Sequence, residues 1–202
     1  KEEVMENLNQ LTDDQLVALY SNGNNKAFDT LLTRYQDKLY SYINFVVRNR
    51  DLADDIFQDT FVKAIVTLQK GNYTSTGKFG AWLTRIAHNL IIDFFRQDKN
   101  ENTVSNDAQD YDLLNNANLA EMNIEDTMIN EQTLRDVRRL VDILPDNQRE
   151  VVFMRYYQDL SFKEIADITG VSINTALGRM RYALINIRKM SVEKGIALTI
   201  AD

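Results

Sequence analysis

Helix breakers are scarce in this chain: one proline, Pro145, and seven glycines are spread over 202 residues. Architectures of strands and tight turns use many more residues of special backbone geometry, so helices are the expected building blocks. The apolar residues agree. In NNKAFDTLLTRYQDKLYSYINFVVRN, Phe28, Leu31, Leu32, Tyr35, Leu39, Tyr42, Ile43 and Val46 recur at helical spacing and read as core positions. Before them, Thr12 and Gln15 have the spacing of a capping box that opens a helix over DDQLVALYSNG. After them, Asp51 reads as the cap of DLADDIFQDTFVKAIVTL, with an apolar stripe of Leu52, Ile56, Phe57, Phe61, Ile65 and Leu68. Its other face carries Asp54, Asp55, Gln58 and Asp59.

The polar stretch GNYTSTG, residues 71–77, interrupts this pattern before the helix KFGAWLTRIAHNLIIDFFRQ, so a first group of four or five helices is expected to end near Arg96. Residues 98–130 are rich in Asn, Asp and Glu and poor in apolar side chains, the composition of an acidic, partly disordered linker. Met122, Ile124, Met128 and Ile129 near its end suit a short helical entry to a second domain. Leu134, Val137, Leu140, Val141 and Leu144 resume the helical period, and Pro145 suits the first turn of the helix PDNQREVVFMRYY. Ser161 with Glu164 forms a second capping box, Gly170 stops that helix, and Ser172 caps SINTALGRMRYALINIRK. The expectation is an all-α chain of two small helical domains, 1–97 and 131–191, joined by an acidic flexible linker over 98–130. The tail, 192–202, carries no interpretable motif.

Charge is unevenly placed. The net charge is -7, but residues 1–60 sum to -5, residues 61–96 to +4, residues 97–131 to -8 and residues 132–202 to +2. Two mildly basic blocks flank an acidic one. Phosphate neutralisation supplies most nucleic-acid affinity, so such a chain should hold DNA poorly alone and better beside a larger basic partner. Without cysteine, no disulfide, thiolate metal site or thiol nucleophile can form. The opening KEEVMENLNQLTDDQL lacks the apolar core of a signal peptide, and no apolar run approaches a membrane span. A cytoplasmic protein without membrane insertion is expected.

Enzymatic chemistry finds no foothold: there is no Gly-rich phosphate loop and only one histidine, His88. The Asp51, Asp54, Asp55 and Asp59 cluster fails as a carboxylate metal site, because such sites draw Glu-x-x-His pairs from two helices and Arg85 stands three residues before the lone His88. No cofactor is expected. A solvated helix face or a docking face for a basic helix remains.

The strongest local pattern is a helix-turn-helix over 162–188. Ala166 allows a close crossing, Gly170 makes the turn, Val171 plugs the inter-helix core and Ala176 lets the second helix pack on the first. On that second helix Ile173, Leu177, Met180, Leu184 and Ile187 read as the buried seam. Asn174, Thr175, Gly178, Arg179 and Arg181 are then left outward, suited to a major groove, with Ser172 and the helix-start amides suited to a phosphate. Solvated surface arginines would look the same in sequence.

In the 71–97 block, Tyr73, Phe79 and Trp82 lie among Lys70, Lys78, Arg85 and Arg96, a mixture of aromatic faces and charge that single-stranded DNA binding requires. Phe79, Trp82, Ile86 and Leu90 are equally spaced as a core stripe, which would leave Tyr73, Asn89 and the basic residues available to DNA. The residues alone admit a helix-turn-helix regulator with an unrelated helical domain, or a helical adaptor that touches no DNA. The first leaves residues 1–97 unexplained.

Taken in order, DLADDIFQDTFVKA, KFGAWLTRIAHNLIIDFFR, an acidic linker, LPDNQREVVFMRYYQDLSFKEIADITGVS and a basic helix resemble a group 4, extracytoplasmic-function (ECF) sigma factor of the sigma-70 family. The resemblance spans all but the linker and the ends. It implies a transcription initiation factor, not an enzyme, whose partners are core RNA polymerase, through the β′ clamp helices and β flap, and promoter DNA. An anti-sigma factor often joins them in that family. By position, Asp54, Asp55, Gln58 and Asp59 would dock on the clamp helices. Asn72, Tyr73, Lys78, Trp82, Arg85 and Asn89 would open and read the minus-10 element. Arg155, Ser172, Asn174, Thr175, Gly178, Arg179 and Arg181 would read the minus-35 element. The linker would thread the polymerase cleft, its acidity mimicking nucleic acid. Leu177 and Gly178 depart from the family's usual basic residue followed by a small polar one, and Asn174 from a frequent Gly, which bears on the promoter sequence that is chosen.

Overall fold

The computed structural model describes residues 8–74, 77–102 and 130–196, and these contain eight helices and no strand. The chain divides into two compact units, Lys1–Ala108 and Gln109–Asp202.

In the first unit, α1 (Asp13–Ser21) begins at the expected capping box: Thr12 Oγ1 accepts from the Gln15 amide and Gln15 Oε1 from the Thr12 amide. Long helix α2 (Asn25–Val47) buries Phe28, Leu31, Leu39, Tyr42, Ile43 and Val46, whereas Leu32 and Tyr35 stay half-buried. It stops at Arg48, held in the left-handed region at φ 51°. The next helix, α3 (Arg50–Gln69), is capped by Asn49, not by Asp51. Asn49 is extended and its side-chain oxygen reaches the Leu52 amide at 3.1 Å, which leaves Asp51 in the first turn, where its charge still complements the helix dipole. Inward-facing residues of α3 are Ala53, Ile56, Thr60, Phe61, Ala64 and Leu68; Leu52, Phe57 and Ile65 of the expected stripe are half-buried flanks.

Helix α4 (Phe79–Asn102) packs on α2 and α3 and continues past Arg96 into the segment read as linker. Its buried line is Phe79, Leu83, Ala87 and Ile91, one residue on from the expected Trp82, Ile86 and Leu90, which are half-buried. Gly80 explains the choice: a Cβ there would lie 2.7 Å from Tyr35 Cε1, so α4 meets α2 along a narrow face that the large Trp82 could not occupy. His88 is a core histidine, its Nδ1 3.1 Å from the buried Tyr42 hydroxyl.

In the second unit, α5 (Asn130–Asp142) and α6 (Asp146–Tyr156) precede the helical hairpin. Pro145 sits just before α6, at its N-cap, and not inside the first turn. Arg149, almost fully buried, pairs with Asp146 at 2.5 Å, and Gln148 accepts from Asn186 at 2.9 Å, tying α6 to the last helix. Helix α7 (Phe162–Thr169) has the Ser161–Glu164 capping box. Gly170 follows in the left-handed region at φ 68°, which an L side chain rarely adopts, and Val171 returns its amide to the Ala166 carbonyl. Val171 itself is half-buried.

The last helix, α8 (Ile173–Glu193), starts at Ser172 as expected but turns a different face inward. Its seam is Ala176, Met180, Ala183 and Ile187; Ile173, Leu177 and Leu184 are exposed at 46%, 43% and 43%. Size decides this. Where α8 crosses α7, Ala176 and Ala166 are both buried, and a leucine in place of the small residue would hold the helices apart. The expected helical entry at Met122, Ile124, Met128 and Ile129, and most of the linker, lie outside the described residues.

Candidate interfaces for a partner helix and for DNA

Three surfaces arise from this packing. Because α3 buries the side through Ile56, Thr60 and Ala64, its opposite side presents Asp51, Asp55, Gln58, Asp59 and, further on, Val62 and Val66. All six are exposed, Val62 at 57%. The surface is acidic at its start and apolar at its end. Asp54 is different: half-buried on the flank, it accepts a hydrogen bond from Tyr40, a bond that raises the Tyr40 pKa, with burial and the Asp54 charge adding to it. Tyr40 packs edge-on against Phe57 at 5.6 Å, and with Gln36, Asp37, Ser41 and Phe57 it lines a shallow depression of about 370 Å³. Sequence reading missed Tyr40 and the two valines. The valines were visible as apolar residues off the stripe; the Tyr40–Asp54 pairing depends on how α2 and α3 pack.

The second surface lies along α4. Lys78, Trp82, Arg85 and Asn89 fall three or four residues apart and so share one side; Lys78, Arg85 and Asn89 are exposed and Trp82 is half-covered. Asn72 is exposed in the preceding loop. Tyr73, expected to be available to DNA, instead folds inward. Its ring meets Trp82 edge-on at 4.7 Å and Phe79 at 5.8 Å, while Tyr35 lies 5.4 Å from Phe79, making a four-ring cluster. The reason is the offer of apolar and aromatic area beside a loop that is held down: Asp14 accepts from the Gly77 amide at 3.1 Å. The arrangement leaves the Tyr73 hydroxyl buried, without a hydrogen-bond partner among the described residues. Burial, and then the charges of Asp14 and Asp13, push its pKa up to about 12. Tyr35 donates to Asp13, and burial followed by that bond raises its pKa further. Asp13 also pairs with Arg34, so α1 braces both the loop and α2.

The third surface is the exposed side of α8. Asn174, Thr175 and Arg181 are exposed, Gly178 and Arg179 half-exposed. Ser172 is committed to its own helix: Oγ accepts from the Thr175 amide at 3.0 Å and lies 2.8 Å from Thr175 Oγ1. Arg155 is held too, donating to the Leu160 carbonyl at 3.1 Å with its guanidinium 5.5 Å above the Phe162 ring. It links the end of α6 to the start of α7. Ile173 and Leu177, assigned by sequence to the seam, stand in the row that continues to Arg181.

Comparison with known proteins shows the same division. Residues 31–101 match the family profile Sigma-70 region 2, and residues 134–181 match Sigma-70, region 4. The chain is 30% identical over 176 residues to the ECF RNA polymerase sigma-E factor of Escherichia coli (strain K12), covering 85% of this chain and 90% of the relative. It is 29% identical over the same length to the sigma-E factor of Haemophilus influenzae, with the same coverage. Among solved structures, the sigma factor RpoE from Bartonella quintana, in complex with the anti-sigma factor NepR, aligns with a TM-score of 0.63 at 22% identity, over 81% of this chain and 96% of that one. CnrH, in complex with the cytosolic domain of CnrY, aligns at 0.56 and 23%, over 89% and 97%. At such identities the structures attest the fold.

Proposed function

The chain belongs to the ECF branch of the sigma-70 family, a non-enzymatic factor that directs transcription initiation with core RNA polymerase on promoter DNA, and from that membership we propose how its surfaces divide the work. The exposed side of α3 docks on the β′ clamp helices. Asp55, Gln58 and Asp59 supply charge and hydrogen bonds to a basic helix, with Asp54 contributing from the flank through its bond to Tyr40. The observation that carries this reading is the segregation on α3 of a buried side from an outer side whose first half is acidic, with Asp51, Asp55 and Asp59 exposed around Gln58.

Once docked, the α4 side reads and opens the minus-10 element. Lys78 and Arg85 hold the backbone, Asn72 and Asn89 offer hydrogen bonds to bases, and Trp82 offers a face for an unstacked base once Tyr73 moves off it. Each stacked step of duplex costs about 1.4 kcal/mol to open, and stacking of one base on an aromatic ring returns about 1–3 kcal/mol. A captured base therefore offsets one or two steps without nucleotide hydrolysis. Helix α8 enters the minus-35 major groove with Asn174, Thr175, Gly178, Arg179 and Arg181. Ser172 caps the helix whose start meets a phosphate, and Arg155 reaches the backbone from the turn it braces. The second unit also contacts the β flap, and the acidic segment 98–130 follows the path of nucleic acid through the polymerase. Domain limits that follow α4 to Asn102 and run from α5 at Asn130 to the end of α8 at Glu193, a cytoplasmic location and control by an anti-sigma factor complete the reading. The last draws support from the anti-sigma factor bound to the Bartonella quintana sigma factor.

The test is direct. Core polymerase freed of other sigma factors is mixed with this chain and a genomic fragment library, and start sites are mapped. A reproducible set of promoters is expected. Initiation at random ends, or tight specific duplex binding without polymerase, would refute the assignment in favour of a conventional regulator.

A further inference from the structure

Helix α8 carries a feature that charge and hydrogen bonding do not explain. Ile173 and Leu177 are 46% and 43% exposed, one turn apart, in line with Arg181 and beside Asn174. Ordinary surface helices place polar residues there. A protein partner for this apolar pair is disfavoured by its setting, since α8 carries Arg179, Arg181, Arg188 and Lys189 against one acid, Glu193, at its far end. That charge suits a polyanion.

Gly178 adds an independent observation. Glycine weakens a helix interior relative to alanine, yet a Cβ at Gly178 would meet nothing within 4 Å. Among the described residues, nothing requires the glycine. Its bare backbone lies on the same outward side as Asn174 and Arg181, where it lets an external surface approach closely. The only apolar group that a DNA major groove displays is the thymine C5-methyl.

We infer that Ile173 and Leu177 are specificity-determining residues that read thymine methyl groups in the minus-35 element, with Gly178 admitting the duplex to contact distance. The inference rests on α8 being the minus-35 recognition helix and adds a chemical class of contact to it. The upstream element this chain selects therefore contains A·T pairs opposite these two side chains.

Replacing thymine by deoxyuridine removes only the methyl and keeps the base pair. A promoter recovered from the genomic library is rebuilt from synthetic strands with thymine or deoxyuridine in the upstream element alone, and open-complex formation by the holoenzyme is measured on each. The wild-type holoenzyme should lose on the order of fourfold per contacted methyl, from the usual value of burying one methylene. Leu177→Ala and Ile173→Ala holoenzymes should initiate less well on the thymine promoter and show a thymine-to-deoxyuridine ratio nearer one. A wild-type ratio of one, or variants that keep the wild-type ratio, overturns the inference. Base-pair substitutions in the same element separate the two levels. If they reduce initiation while deoxyuridine does not, the methyl contacts fall and the recognition helix stands; if neither has an effect, both fall. The deoxyuridine arm uses the unaltered protein, so no outcome turns on the folding of a variant.

Discussion

Tyr73 and Arg155 show how little a residue type says about its use. Both are suited to nucleic acid by chemistry, yet one is folded into a ring cluster and the other also braces a turn. For Tyr73 the telling detail is a buried hydroxyl that has no partner among the described residues, since an unmet hydroxyl costs about 1–3 kcal/mol. Tyr73→Phe should therefore stabilise the first unit by up to about 1 kcal/mol in thermal or urea unfolding; a loss of stability would mean the hydroxyl has a role in the fold. The same residue predicts a pH dependence. Its folded pKa of about 12 lies above the ordinary tyrosine value of 10.0, so above pH 10 the unfolded chain gives up a proton that the folded one keeps. Stability is full below pH 10 and is lost as pH rises through about 12, and Tyr73→Phe should flatten part of that slope. Tyr35 and Tyr40, raised in the same direction, add to that slope. Arg155→Ala should cost the second unit about 1 kcal/mol in free energy of unfolding, because it removes a hydrogen bond and a ring contact. If Arg155→Ala reduced promoter use with unchanged stability, its contact would be with DNA alone.

At the scale of the element, the periods and most caps were legible in the sequence, Asp51 and Pro145 excepted, and the facing was less so. Thr12–Gln15, Ser161–Glu164, Gly170 and Ser172 all act as expected, because capping is local chemistry between residues three apart. The α4 and α8 seams lie part of a turn away from the stripes that apolar spacing marks, because spacing marks a broad face and side-chain size decides which line of it packs. Gly80, Ala87, Ala176 and Ala183 mark the close crossings, and Trp82 or Leu177 cannot occupy them. The Asp54–Tyr40 bond was out of reach for another reason: its partners are on different helices, and no local pattern encodes their distance. Two glycines allow opposite predictions. Gly80→Ala would put a Cβ against the Tyr35 ring and should destabilise the first unit by about 1–3 kcal/mol in urea unfolding. Gly178→Ala meets open space and should stabilise the second unit by about 1 kcal/mol, while initiation falls. Unchanged initiation would show that no surface approaches that point.

For the whole molecule, the distribution of charge explains why an acidic chain can choose sites on DNA. The outer side of α3 and the 97–131 segment hold the excess of acid, whereas the α4 and α8 blocks are mildly basic. On the proposed reading, a chain so divided should hold DNA poorly alone and better beside core polymerase, and contributes the choice of site. That claim turns on docking, so the most direct measurement is core binding and promoter-specific initiation by Asp55→Arg with Asp59→Arg. These two are exposed and are preferred to Asp54 because replacing Asp54 would also break its bond to Tyr40. Docking through this side of α3 predicts an unchanged melting transition, loss of core affinity by at least about tenfold, or roughly 1.4 kcal/mol, and loss of specific initiation with it. A doubly substituted chain that still binds core polymerase as the native chain does, and still starts at the same promoters, would contradict it.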